Sequence, residues 1–167
     1  MSRLLVLQNR LKVRARYGRL AGHQARAYDA IADQWRYPEI VNLHGPPGAG
    51  KTSLGWALAH DGDALSFAAP ELFDPANVPA GRPLIIDNVD PDDRPLRRLM
   101  AAVQLTGPRP ALFISRRPTP GLLPAVALPP PGPDDVTTVL HNLSELEHYC
   151  LQDPATADLW AVIHATL

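Results

Sequence analysis

Two kinds of apolar pattern alternate along the chain. Gly22 to Trp35 carries Ala25, Tyr28, Ile31 and Trp35 at steps of three and four, with Arg26, Asp29 and Asp33 off that stripe. Such periodicity predicts a helix. Arg36-Tyr37-Pro38 ends it, because proline pushes the preceding residue out of the helical region. Glu39 to His44 is then a short apolar run that predicts a strand, and Ser53 to Ala59 predicts a helix. Ala64 to Phe67 is a short strand candidate, and Pro70 to Phe73 a single helical turn. Leu84-Ile85-Ile86-Asp87 reads as a buried strand ending in an acid. Pro95 to Gln104 places Leu96, Leu99, Met100 and Val103 on one helical face. Ala111 to Ser115 is the next buried strand, and Ala125 to Leu128 a final one. Pro129 to Pro133 should be extended. Asp134-Asp135 then caps a helix through Val136, Val139, Leu140 and Leu143. Further helices are expected over Ser144 to Leu151 and Ala155 to Leu167.

Strands that alternate with helices imply an α/β fold: a mainly parallel sheet between helical layers. At 167 residues one domain is expected. Three parts are distinguished: residues 1–20 as a basic N-terminal arm, 21–133 as the core, and 134–167 as a short C-terminal helical segment. The length suffices for a real core without disulfides or structural metal. Cys150 is the only cysteine, so a reducing, cytoplasmic setting is the expectation. No apolar run approaches the length of a membrane span, so no membrane partner is expected. His141, His148 and His164 do not form a convincing metal spacing.

The net charge of −1 conceals an asymmetry. Residues 1–28 contain Arg3, Arg10, Lys12, Arg14, Arg16, Arg19 and Arg26 and no acid, whereas no Lys or Arg follows Arg117. Three readings of the arm stand open. It docks on the acidic body or on a partner protein. It touches nucleic acid phosphates through residues 1–19. Or it resembles an Arg-rich transit peptide.

The chemistry concentrates in Gly45-Pro46-Pro47-Gly48-Ala49-Gly50-Lys51-Thr52, followed by Ser53. This is a full G-x-x-x-x-G-K-[ST] phosphate-binding loop between a strand and a helix. Glycines let backbone N–H groups turn inward around phosphate oxygens. Lys51 supplies a point charge for the β/γ-phosphates, and Thr52 a hydroxyl for Mg²⁺. The helix beginning near Lys51 points its positive end at the same anion. Asp87, at the end of its strand, fits the second Walker motif and is expected to hold Mg²⁺ through water, on the same sheet edge. The expected cofactors are therefore ATP (or GTP) and Mg²⁺.

Asn88 follows Asp87 where many hydrolysing relatives carry Glu. An amide orients a water but cannot take its proton. Asp90, Asp92 and Asp93 are substitutes in principle, although Asp92-Asp93 before Pro95 has helix N-capping as its simpler explanation. Ser115 is the candidate γ-phosphate sensor, with Arg116 second. Arg94, Arg97 and Arg98 either form a solvated face or reach a neighbouring subunit.

Walker A, one intervening strand, Walker B and a strand ending Ser115-Arg116 resemble the AAA+ and STAND branch of P-loop NTPases over about residues 22–143. Tyr28 to Gly48 and Leu128 to Leu143 are similar to bacterial DnaA/Hda-like proteins. Leu84 to Asp90, with Ile114-Ser115-Arg116, looks like NB-ARC-type STAND ATPases. The resemblance implies a P-loop NTPase three-layer sandwich. The departures are also informative: only 34 residues follow Pro133, none of them basic, so a sensor-2 arginine is absent from its usual place. A weakly hydrolysing regulatory or assembly subunit follows as the expectation, possible in DNA replication or recombination, with trans residues from a protein partner or homo-oligomer. A STAND-like signalling or defence module and a small-molecule P-loop kinase are the alternatives.

Overall fold

The structure, a computed structural model, describes residues 3–119 and 121–145. Five strands form one all-parallel sheet in the order β2-β3-β4-β1-β5. They are β1 (Ile40–His44), β2 (Leu65–Phe67), β3 (Leu84–Ile86), β4 (Ala111–Ser115) and β5 (Ala125–Ala127). The helices are α1 (Arg3–Arg14), α2 (Gly22–Gln34), α3 (Lys51–Asp61), α4 (Asp93–Gln104) and α5 (Pro133–Ser144). Single 3-10 turns lie at Tyr17–Arg19, Pro70–Leu72 and Pro75–Asn77.

Side-chain alternation divides the core into two layers. Val41, Leu43, Ile85, Leu112 and Ile114 face Ala27 and Ile31 of α2 and Leu54 and Leu58 of α3. Leu84, Ile86, Ala111 and Phe113 face the other way, onto Leu96, Leu99 and Val103 of α4. A strand buried on both faces needs apolar residues at consecutive positions, which is why β3 and β4 read as unbroken runs. The strand register carries the C-terminal ends of β1, β3 and β4 to one edge, where the candidate site lies.

Several expectations are adjusted. The arm is not an extended tail: α1 and the Tyr17–Arg19 turn pack on α3. Tyr17 N–H donates to Asp61 at 2.9 Å, and Tyr17 Oη donates to Asp29 at 3.1 Å. Arg19 pairs with Glu145 at 2.6 Å, and Arg14 donates to the Glu145 carbonyl at 3.2 Å. The arm's positive charge therefore meets the acidic body, as the docking reading expects. In α2 the buried face contains His23, Gln24, Ala27 and Ile31, while Ala25, Tyr28 and Trp35 are only partly buried. The apolar stripe misplaces that face because two polar residues on it are held by hydrogen bonds. Asp92 occupies the N-cap position of α4 but makes no capping bond; its carboxylate accepts from Arg117 at 3.3 Å instead. Asp93 pairs with Arg97 at 2.8 Å. The cap of α5 is Gly132, and Asp135 reaches back to accept its N–H at 2.9 Å. Arg94, Arg97 and Arg98 all face solvent. His148, His164, Cys150 and the helices expected after Glu145 lie outside the described residues. Among the described residues, no helix is long and apolar enough to cross a membrane.

Candidate functional site

The loop between β1 and α3 is shaped by its glycines. Gly48 and Gly50 have φ of 77° and 87°, left-handed values that glycine adopts without a Cβ penalty. Gly45 is needed for another reason. A Cβ there would lie 2.2 Å from the carbonyl oxygen of Leu128. The loop thus leaves β1 pressed against the end of β5, where Leu128 N–H donates to the His44 carbonyl at 2.7 Å. Ala49 is fully buried and Pro46-Pro47 stay at the surface, so the loop closes over its own small residue.

Helix α3 starts at Lys51, as the motif requires. Lys51 Nζ donates to the Gly45 and Pro46 carbonyls, both at 2.7 Å, which holds the ammonium over the loop. Burial lowers the Lys51 pKa, the negative charge of Asp87 works against that, and Arg116 pushes it down further. His44 at the end of β1 is lowered too, first by burial and then by Lys51. Ser53 lines the same cavity one position after Thr52. Thr52 Oγ1 donates to Asp87 Oδ2 at 2.6 Å. Two residues 35 positions apart are thereby joined at the mouth of the loop. A hydroxyl beside a carboxylate is a hard oxygen pair. It suits Mg²⁺, which takes one or two protein oxygens and fills its octahedron with water and phosphate.

Asn88 sits at φ 55°, a left-handed conformation that Asn tolerates better than Glu does. Its N–H donates to the Asp87 carboxylate at 2.7 Å, and its side-chain amide to the Ala68 carbonyl at 2.9 Å. The backbone here gives a structural reason for Asn, independent of any role with water. Asp90 accepts from Asp92 N–H at 3.1 Å within its own turn.

Ser115 is buried, and both roles of its hydroxyl are taken. It donates to the Arg117 carbonyl at 2.6 Å and accepts from Asn42 at 2.9 Å. Asn42, fully buried in the middle of β1, also donates to the Phe113 carbonyl at 3.1 Å and accepts from Thr119 N–H at 3.2 Å. Ser115 thus anchors the turn after β4. Arg116 and Arg117, both exposed, line the cavity from this turn.

Gly48, Gly50, Lys51, Thr52, Ser53, Asp87, Asn88, Ser115 and Arg116 open onto one cavity of about 610 Å³. That lies within the usual range for a small-molecule site. Gly48, Gly50, Lys51, Thr52, Asp87 and Arg116 give it a polar lining from the loop and the strand ends. Leu11, Ala15 and Leu20 from the arm and Val139 and Leu143 from α5 add apolar lining. Arg14, Arg16 and Arg19 line it as well. Sequence reasoning missed the arm's share of this cavity, although Leu4, Leu7, Leu11 and Ala15 recur at steps of three and four along it. The charge asymmetry was a second available signal: an acid-free arm meets a C-terminal region without Lys or Arg.

Compared with known proteins, the chain matches no protein-family model and no curated protein.

Proposed function

We propose that the chain binds a nucleoside triphosphate, ATP in the first instance, with Mg²⁺, and acts as a nucleotide-dependent regulatory or assembly subunit. The observation that carries this reading is the 2.6 Å contact between Thr52 and Asp87 beside a loop with left-handed Gly48 and Gly50. The two Walker elements are far apart in sequence and adjacent in space, in the relation that phosphate and metal binding require. The strand order supports the AAA+/STAND resemblance: β4, which carries Ser115-Arg116, lies between the loop strand β1 and the acid-bearing β3. The cavity's volume of about 610 Å³, with Leu11, Leu20, Val139 and Leu143 in its lining, is of a size that suits a nucleotide.

The residues divide the work. The loop N–H groups and Lys51 bind and orient phosphate, and Thr52 and Asp87 would hold the metal. Bound Mg²⁺ supplies charge neutralisation at the phosphates. Arg116 stands where it can answer the terminal phosphate, taking the sensing role first assigned to Ser115. The apparent shortage of cations is also revised. Arg14, Arg16 and Arg19 come to the cavity from the other end of the chain, although Arg14 and Arg19 are engaged by Glu145 and Arg16 by the Val13 and Ala15 carbonyls. Among the described residues, no carboxylate beside Asp87 stands clear of local bonds to serve as general base. Asn88 cannot accept a proton, and Asp90, Asp92 and Asp93 are each engaged in local bonds. Slow hydrolysis follows. Steady-state turnover of saturating Mg·ATP by the purified chain should fall well below about 1 s⁻¹, the lower end for ordinary enzymes. Turnover of tens per second would refute the regulatory reading and favour a working ATPase.

The Lys51 environment also predicts a pH dependence. In the folded chain its pKa lies below the ordinary lysine value of 10.5. The unfolded state therefore holds that proton more tightly, and the cost of burying the charge is relieved as pH rises through the folded value towards 10.5. A bound polyphosphate acts oppositely and raises the Lys51 pKa. Binding in that alkaline window must therefore take up a proton. As pH rises towards 10.5, ATP affinity should fall, by at most about tenfold per pH unit. A flat profile through this range would contradict the placement of Lys51 on the phosphates.

A further inference from the structure

The first turn of α2 grips the phosphate loop from outside. His23 is 3% exposed, and its Nε2 lies 3.0 Å from the Ala49 carbonyl oxygen. Gln24 is equally buried. Its amide donates to the Gly50 carbonyl at 2.9 Å, and its own oxygen accepts from Ala21 N–H at 3.0 Å. A trans peptide is planar, with C=O and N–H on opposite sides. The Ala49 carbonyl shares its peptide plane with Gly50 N–H, and the Gly50 carbonyl shares its plane with Lys51 N–H. Drawing both carbonyls towards α2 therefore turns both N–H groups away from α2. Gly50 O also accepts the first helical bond of α3, from Leu54 N–H at 3.0 Å. That fixes the Lys51 N–H at the open N-terminus of the helix, where an anion is favoured.

His23 has a second contact. Its backbone N–H donates to Asp135 Oδ1 at 3.1 Å. Its Nδ1 lies 3.0 Å from Asp135 Oδ2, at ion-pair distance but without hydrogen-bond alignment. Asp135 stands in the first turn of α5, and the same Oδ2 accepts Gly132 N–H at 2.9 Å. Burial would raise the Asp135 pKa, but the N–H groups of Gly132 and His23 outweigh it and hold the carboxyl below its ordinary value. The imidazole is thus wedged between the loop and α5, the helix that also supplies Val139 and Leu143 to the cavity.

We propose that His23 and Gln24 are positioning residues. They hold the Gly50 and Lys51 N–H groups ready for phosphate, and His23 passes the state of the loop to α5 through Asp135. The proposal rests on the phosphate-binding reading above, and its test separates the two. His23→Gln places an amide nitrogen where Nε2 lies and keeps the bond to Ala49. His23→Asn stops one bond short and loses it. Both remove the ring from the same buried site, so a merely structural role predicts a lower melting temperature in each, the more so for the shorter Asn, without a change confined to the Gly50 and Lys51 amides.

Mg·ATP affinity should be measured by calorimetry for the wild-type chain and both variants. The amide resonances and hydrogen exchange of Gly50 and Lys51 should be followed in the nucleotide-free proteins. His23→Asn is expected to weaken affinity by about tenfold, the scale of one lost hydrogen bond to a binding element, and His23→Gln by less than about threefold. The Gly50 and Lys51 amides should shift and exchange faster in His23→Asn only. Equal loss in both variants, or wild-type affinity in His23→Asn, would overturn the proposal. If the wild-type chain binds no ATP, the nucleotide reading fails. The amide signals still decide the positioning role: moved in His23→Asn alone they sustain it, and unmoved in both they overturn it.

Discussion

Lys51→Ala is expected to weaken Mg·ATP binding by on the order of 100-fold, which is about 2.7 kcal/mol. Truncating one partner of a partly buried, hydrogen-bonded charge pair costs about 2–5 kcal/mol, much of it from the group left unpaired. In the ligand-free chain the ammonium is held by the Gly45 and Pro46 carbonyls. A phosphate oxygen offers a charged acceptor in place of a neutral one, so binding gains from the exchange. The same substitution should leave the fold standing, because Lys51 is at the first turn of α3 and its burial as a cation is itself unfavourable. A melting temperature near that of the wild type, together with the lost affinity, is the expected pair of results. Retained affinity would show that the loop does not hold the triphosphate.

The same loop was the most legible part of the molecule. The motif, the strand before it and the helix after it needed only local rules, and β1 and α3 occur where those rules place them. The strands β3 and β4 were equally plain, since burial on both faces demands apolar runs. The contact between Thr52 and Asp87 followed from the motif pair. What stayed hidden depended on long-range partners. His23 and Gln24 sit on a helix whose apolar stripe lies to one side of them, and their burial is justified by loop carbonyls 26 positions away. Asn42 interrupts an apolar strand, and only the neighbouring β4 shows why. Ser115 was placed correctly at a strand end. Its hydroxyl nevertheless serves the turn, because Asn42 and the Arg117 carbonyl take both of its hydrogen-bonding roles. The arm's helix was missed for a related reason. Leu4, Leu7, Leu11 and Ala15 do recur at helical steps, but Leu5, Val6 and Val13 off that stripe blur it, and the arm's anchors, Asp61 and Glu145, lie far along the chain.

Gly45→Ala carries the largest expected effect on stability. Gly48 and Gly50 answer to backbone conformation, but Gly45 answers to contact. The added methyl would meet the Leu128 carbonyl oxygen at 2.2 Å and its carbon at 3.2 Å, and neither is the end of a flexible side chain. Relief requires β5 to move from β1, at the rung where Leu128 N–H bonds to His44. Overpacking of this kind costs about 1–3 kcal/mol, and the lost rung adds about 1 kcal/mol. For a chain of this size the melting temperature should drop by roughly 5–15 °C. The displaced β5 lies next to the loop, so nucleotide affinity should fall as well. An unchanged melting temperature would mean that the sheet edge yields freely, and that the loop is not braced by β5.

These expectations converge on one feature. The loop from Gly45 to Thr52 is braced by β5 on one side and by α2 on the other, and it faces Asp87 across the sheet edge. On the proposed reading, the loop, Lys51, Thr52 and Asp87 would hold a triphosphate, while Asn88 cannot take a proton and Asp90 is engaged in its own turn. The account is tested most directly by calorimetric titration of the purified chain with ATP in the presence of Mg²⁺, beside the Lys51→Ala variant. It predicts saturable one-to-one binding by the wild-type chain and its near-complete loss in the variant. Failure of the wild-type chain to bind at millimolar ATP, or equal binding by the two proteins, would contradict it.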